Sequence, residues 1–124
     1  MTRQPDRASK ASVNLEELLR RVDNDYDLLS ELIGIFKEEF PRLLRSLQQF
    51  VVSGDMKNVE ATSHALKGML SGLSVSRAAA LAAGLEQMAR DGKTSRLTED
   101  LALFESEVAD LLPELDAYAE ETMT

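Results

Sequence analysis

The stretch DYDLLSELIGIFKEEFPRLLRSLQQFVVSG, residues 25–54, shows most clearly which fold class the chain adopts. Its apolar residues recur at intervals of three and four, which places them on one face of an α-helix. They are Leu28, Leu29, Leu32, Ile33, Ile35, Phe36, Phe40, Leu43, Leu44, Leu47, Phe50 and Val51. The pattern resumes directly after Pro41, where a kink or brief interruption is predicted. It ends at Ser53-Gly54, a typical C-terminal signal, so the stretch predicts one long amphipathic helix.

Helical periodicity continues on both sides of this stretch. Upstream, a short helix is predicted over residues 15–22, with Asn14 as its N-cap and a turn at Asp23-Asn24-Asp25. Downstream, a helix capped by Asp55 is followed by an alanine- and leucine-rich helix that ends at Asp91-Gly92. These patterns account for three further helices of the chain.

A last helix is predicted to begin at Thr98 and to carry Pro113 within its pattern, where a kink is expected. No run of alternating β-branched residues occurs, and aromatic residues make up 5% of the chain, so no strand is predicted. The connections are short, which favours antiparallel neighbours. The expected fold is all-α: an up-down four-helix bundle with a short additional N-terminal helix.

Length and composition favour a single soluble domain. The 124 residues suit one domain that can bury a core without disulfides. Residues 1–12 are polar and basic without apolar periodicity and are predicted to be a flexible tail, while residues 13–122 form the domain. The absence of cysteine excludes disulfides, thiol catalysis and cysteine metal sites. We expect a monomer, because such a bundle buries its own apolar stripes.

The charge balance and hydropathy argue against several classes of partner. The chain has 14 Lys+Arg against 22 Asp+Glu, a net charge of −8, which disfavours binding to nucleic acid and to anionic membranes. No apolar run approaches the roughly 20 residues needed to span a bilayer. No apolar leader is visible near the N-terminus either. The expected localisation is therefore cytoplasmic.

The segment EATSHALKGMLSGL, residues 60–73, carries the candidate chemistry. At about 100° per residue, His64 falls about 160° from Leu66, the centre of the buried stripe. The one histidine of the chain is therefore predicted to point outward. Lys67 and Gly68 follow about one turn later and share its surroundings. Glycine inside a helix costs roughly 1 kcal/mol relative to alanine, a cost that clearance for a bulky group or another protein would explain.

An exposed imidazole beside an ammonium group and a cleared surface suits a group that becomes a dianion. The neutral ring nitrogen is a nucleophile at physiological pH and can form covalent intermediates. A phosphoryl group on this nitrogen would be labile enough to be passed on. The same residues also fit a surface histidine without a function, an ordinary surface lysine and a glycine that permits close helix packing. Spacing alone does not decide between these interpretations.

The run His64-Ala65-Leu66-Lys67-Gly68 matches the H-x-[LI]-K-G signature of histidine-containing phosphotransfer (HPt) domains. Leu85-Glu86 in the following helix resembles the L-E pair of that family, and Leu73 occupies its apolar position. The long helix with its internal proline, followed by Ser53-Gly54-Asp55, also resembles the HPt layout. The resemblance covers about residues 13–115. Residues 69, 70 and 74 depart from the family pattern, which affects the turn after the histidine helix rather than the acceptor site.

The resemblance implies a role for four residues. His64 would be the phosphoacceptor, Lys67 would balance the phosphoryl charge, Gly68 would leave room for the partner's active site, and Glu86 would orient the imidazole. The implied partners are response-regulator receiver domains, with a hybrid sensor histidine kinase as a further candidate. The partner's acidic pocket and Mg²⁺ would supply the transfer chemistry. We therefore expect a phosphocarrier rather than an enzyme, with no cofactor of its own.

Other functions are less well supported by the sequence. Glu60 and His64 have the i,i+4 spacing of a metal-binding pair, but one histidine without cysteine favours a plain surface pair. Ser71 beside His64 lacks any sign of an oxyanion hole, so hydrolysis is not predicted. Two alternatives stay open: an interaction module in which His64 is incidental, and the phosphoacceptor domain of a chemotaxis-type kinase cut from a longer chain. The sequence fits a free-standing protein and a domain of a hybrid kinase equally.

Overall fold

The computed structural model describes residues 13–123, with the backbone alone for residues 119–123. The predicted tail, residues 1–12, lies outside the described residues. Within them, all regular secondary structure is helical, which confirms the all-α class. The helices are α1 Leu15–Arg21, α2 Tyr26–Ser53, α3 Met56–Gly72, α4 Ser76–Asp91, α5 Leu97–Val108 and α6 Leu111–Met123.

Side-chain caps and left-handed glycines set most of the helix boundaries. Asn14, Asp25 and Asp55 each accept a hydrogen bond from the backbone N–H three residues later, at the starts of α1, α2 and α3. Gly54 and Gly92 end α2 and α4 with φ of 74° and 70°, a region in which residues with a Cβ are strained. The predicted caps at residues 14 and 55 and the two glycine stops are confirmed.

The two prolines in predicted helices behave differently. Pro41 lies inside α2, which runs unbroken over its 28 residues, so the predicted interruption does not occur. Phe36, Phe40 and Leu47 are buried on both sides of this proline and belong to one core-facing stripe. The stripe therefore continues across the missing N–H of Pro41.

The last predicted helix is in fact two helices, α5 and α6. Pro113 has no N–H, and its ring clashes with the carbonyl four residues earlier, which is that of Ala109. The chain turns at Ala109-Asp110 and begins a new helix, so a break replaces the predicted kink. Thr98 was expected to open this region, but α5 begins one residue earlier and Arg96 occupies its N-cap position.

The core lies between the long helices. α3 contacts both α2 and α4, α4 also contacts α5, and α2 contacts α5 and α6. Val59, Leu66 and Leu70 of α3 are fully buried, and small side chains such as Ala78 and Ala82 are buried on α4. Alanines allow helices to approach closely, which brings one edge of α3 against α4. None of the helices in residues 13–123 has the length and apolar content to cross a membrane.

Candidate functional site

His64 lies on the exposed face of α3. Its side chain is 67% exposed, whereas Val59, Leu66 and Leu70 of the same helix are fully buried. The outward orientation predicted from helical geometry is therefore confirmed. Nδ1 of the ring lies 3.0 Å from Oε2 of Glu86, which projects from α4.

The Glu86 carboxylate is almost completely buried, with 7% of its side chain exposed. It has three polar partners: Nδ1 of His64, Nζ of Lys67 at 2.9 Å from Oε1, and Nη2 of Arg90 at 2.8 Å from Oε2. The hydrogen bond from Lys67 lowers the pKa of Glu86, against the opposing effect of burial, and the hydrogen bond with His64 lowers it further. The carboxylate is therefore ionised at neutral pH.

An ionised carboxylate fixes the tautomer of a neutral histidine beside it. Because the Glu86 oxygens can only accept hydrogen bonds, Nδ1 of His64 must carry the proton and donate it. Nε2 is then left with the lone pair, on a ring that is mostly exposed. The site thus combines a nucleophilic nitrogen with a charged group that holds the opposite nitrogen.

Gly68 lies one turn after His64 on the exposed face of α3. A Cβ built on it would meet no atom within 4 Å, so packing within the chain does not require glycine there. Gly68 lines an apolar groove of about 200 Å³ between α2 and α3. The other lining residues are Leu32, Ile35, Phe36, Met69, Gly72 and Leu73. Ile35 is 55% exposed, so an apolar surface borders the histidine's helix.

The structure brings three of the predicted site residues together, because Glu86 contacts both His64 and Lys67. Lys67 is bound to Glu86 in this structure, and Gly68 contributes open surface on the same helix. Ala61 and Ala65, on the same helix as His64, are both exposed.

Two residues of the site were missed by sequence reasoning. Arg90 contacts Glu86, and its Nε also donates to Oε2 of Glu60 at 2.9 Å. Glu60 was weighed only as a partner of His64. Their spacing could have indicated this contact, because Glu60 lies four residues before His64 and Arg90 lies four residues after Glu86, about one helical turn in each case. Within the described residues, no group of three His, Asp or Glu side chains is placed to hold a metal ion.

One of three comparisons with known proteins gives a match. The family model described as Hpt domain matches residues 31–120, well over half of the chain and including His64 and Glu86. The match begins within α2, so α1 lies outside it. No curated protein and no solved structure gives a match to the chain.

Proposed function

We propose, since the chain belongs to the Hpt domain family, that His64 accepts a phosphoryl group and passes it to a receiver domain. Hpt domains are histidine phosphotransfer modules of two-component signalling and are phosphocarriers rather than classical enzymes. The donor would be a receiver-domain aspartate or a kinase, and the acceptor another response-regulator receiver. The observation that carries the proposal is the exposed ring of His64, held at Nδ1 by the ionised Glu86.

The transfer requires no net movement of a proton. The Nε2 lone pair attacks the phosphorus of an aspartyl phosphate, and an N–P bond forms as the P–O bond to the aspartate breaks. The aspartate leaves as a carboxylate, and the ring, still protonated at Nδ1, becomes cationic. Glu86 stabilises that charge through the Nδ1–H hydrogen bond. In the forward step the receiver's carboxylate attacks phosphorus, and the N–P electron pair returns to Nε2.

Lys67 and Gly68 fit supporting roles in this transfer. The Lys67 ammonium is 34% exposed and shares Glu86 with the ring, so it lies close enough to the acceptor to offset phosphoryl charge. Gly68 keeps the surface beside the ring free of a side chain. A receiver's acidic pocket and its Mg²⁺ could then approach the acceptor nitrogen, and that partner would supply most of the catalysis.

The apolar groove between α2 and α3 gives the receiver a place to dock. Its lining is mostly apolar, Ile35 projects from its α2 wall, and Gly68 joins it to the acceptor's helix. An apolar face on the receiver would bury these groups and hold its aspartate opposite His64. If the receiver docks in this groove, replacing the apolar residues that line it should change the affinity for the receiver more than the rate of transfer within the bound complex.

We also propose a helix arrangement, an oligomeric state and a localisation for the protein. The contacts of α2 with α3, α3 with α4, α4 with α5, and α5 with α2 close a ring, which supports an up-down four-helix bundle with α1 added. We expect this bundle to act as a cytoplasmic monomer. Both the free-standing form and a domain within a hybrid kinase would use the same acceptor site.

Transfer of label tests the proposal. The protein is incubated with several ³²P-phosphorylated receiver domains, and the expected result is acid-labile, base-stable label on the wild type. His64→Gln, which changes an exposed side chain, should retain its circular dichroism spectrum and take no label. If no receiver labels the wild type, the module acts by binding alone; if His64→Gln is labelled equally, another residue is the acceptor. Either result overturns the proposal.

A further inference from the structure

Glu86 divides its two oxygens unequally among its partners. Lys67 binds Oε1, whereas Arg90 and His64 both bind Oε2, at 2.8 Å and 3.0 Å. A carboxylate oxygen has two lone-pair directions, so Arg90 takes one of them and leaves the other for Nδ1 of His64. The position of the Arg90 guanidinium therefore bears directly on the direction of the bond that orients the ring.

Arg90 does not hold this position through Glu86 alone. Its side chain is 49% exposed, and a single exposed pair at i,i+4 spacing contributes little order by itself. The Nε edge of the guanidinium donates to Oε2 of Glu60 at 2.9 Å, and Nη1 approaches Oε1 of Gln87 at 3.4 Å. The hydrogen bond with Glu60 is also the main cause that raises the pKa of Arg90. Glu60 thus anchors Arg90 from the opposite helix.

The two helices meet here in a regular register. Glu60 precedes His64 by one turn of α3, and Arg90 follows Glu86 by one turn of α4. The Glu60–Arg90 pair and the His64–Glu86 pair therefore connect the same two helices at points one turn apart. A planar guanidinium bound to both helices fixes how their side chains face each other one turn from the acceptor ring.

We propose that Glu60 is a positioning residue: by anchoring Arg90 it holds the Glu86 carboxylate so that His64 keeps its proton on Nδ1 and presents Nε2. This inference rests on the proposed phosphotransfer function for its activity readout, but the ring geometry is measurable without transfer. Glu60 itself contacts neither His64 nor the phosphoryl group and acts only through Arg90.

The first test is the tautomer of His64, measured by ¹⁵N NMR of the imidazole in the unphosphorylated protein. The wild type should show the Nδ1–H form, and Glu60→Ala should show a more even mixture of the two tautomers. Glu60→Gln keeps an acceptor for Arg90 but no charge, and should lie between them. Asp100→Asn is the matched control, because Asp100 is also a partly exposed carboxylate facing an arginine, Arg96, but on α5.

The second test is the rate of phosphoryl acceptance from a phosphorylated receiver. At saturating receiver, Glu60→Ala should be slower by about three- to tenfold, a fraction of the roughly 100-fold cost of a fully misplaced group. The half-saturating receiver concentration should not change. In an Arg90→Met background, Glu60→Ala should have no additional effect, since the two residues act as one unit.

The outcomes separate this inference from the function it rests on. If the wild type takes no label, the proposed function fails, while the tautomer measurement still tests the role of Glu60. If Glu60→Ala keeps both the wild-type tautomer and the wild-type rate, the positioning role is overturned. A change confined to the half-saturating concentration would also overturn it, because Glu60 would then contact the partner instead.

Discussion

The exposed imidazole of His64 and the buried carboxylate of Glu86 lie 3.0 Å apart on neighbouring helices. A surface histidine would ordinarily sample several rotamers and both tautomers. Here a buried carboxylate with three polar partners favours the tautomer with the proton on Nδ1. Lys67 and Arg90 hold that carboxylate in turn, so the exposed nucleophile takes its orientation from the interior of the protein.

The ionised state of Glu86 should make stability depend on pH in a definite direction. Its pKa lies below the ordinary value of 4.5 in the folded protein, first through the hydrogen bond from Lys67. A carboxyl group with a lowered folded-state pKa contributes stability that is present above its unfolded pKa and is lost as the pH falls through the folded pKa.

Urea unfolding at neutral pH and on the acid side of 4.5 measures this contribution against Glu86→Gln. We expect wild type to be the more stable protein at neutral pH and the difference to shrink in acid. Other carboxylates titrate in both proteins and cancel in the comparison. A difference that stays constant with pH would show that the charge of Glu86 contributes nothing to folding.

Gly68→Ala should stabilise the protein and impair transfer. A Cβ at Gly68 meets no atom of the chain, so the substitution should gain about 1 kcal/mol of helix propensity. The added methyl group occupies the surface left open for the receiver, so acceptance should slow, and Gly68→Leu should slow it further.

Gly84→Ala is the matched control for this prediction. Gly84 is also an exposed helical glycine with open space around it, and it lies about 200° around α4 from Glu86. It should gain the same stability without loss of transfer. Equal transfer rates for both alanine variants would show that Gly68 does not serve the partner.

Ile35→Asp should weaken receiver binding without unfolding the protein. Ile35 lines the groove yet is 55% exposed, so its replacement removes docking surface and little of the core. We expect a higher half-saturating receiver concentration and an unchanged rate at saturation. Val52→Asp is the control, since Val52 is 88% exposed on the same helix, about 25 Å along its axis. Equal effects of both substitutions would argue against docking by the groove.

Ser63→Ala should stabilise the protein. Ser63 is fully buried beside the acceptor residue, and its Oγ has no hydrogen-bond partner. Removing an unpaired buried hydroxyl should raise the free energy of unfolding by about 1 kcal/mol. Ser71→Ala on the exposed face of α3 corrects for helix propensity alone. If Ser63→Ala is destabilising relative to that control, the hydroxyl has a partner in solution.

Local chemistry explains which parts of the fold could be predicted. The helix boundaries could be predicted because the residues that set them act on their own backbone neighbours. These residues are Asn14, Asp55, Gly54 and Gly92. The outward position of His64 followed from helical periodicity in the same way. The family signature added the acceptor role, which geometry alone left undecided.

The parts that were not predicted depend on competition between distant groups. Pro41 and Pro113 carry the same chemical defect, and buried apolar residues lie on both sides of each, yet only the chain around Pro41 forms one continuous helix. Likewise, Glu60 could pair with several cations in the sequence. Its choice of Arg90 depends on how α3 and α4 face each other, which no single segment encodes.

The most direct measurement of the central claim is the site of phosphorylation on the ring of His64. Protein labelled with ¹⁵N is phosphorylated by a receiver domain, and phosphorus–nitrogen coupling is read by NMR. The account predicts a phosphoryl group on Nε2 with the proton retained on Nδ1. A phosphoryl group on Nδ1, or on any residue other than His64, would contradict it.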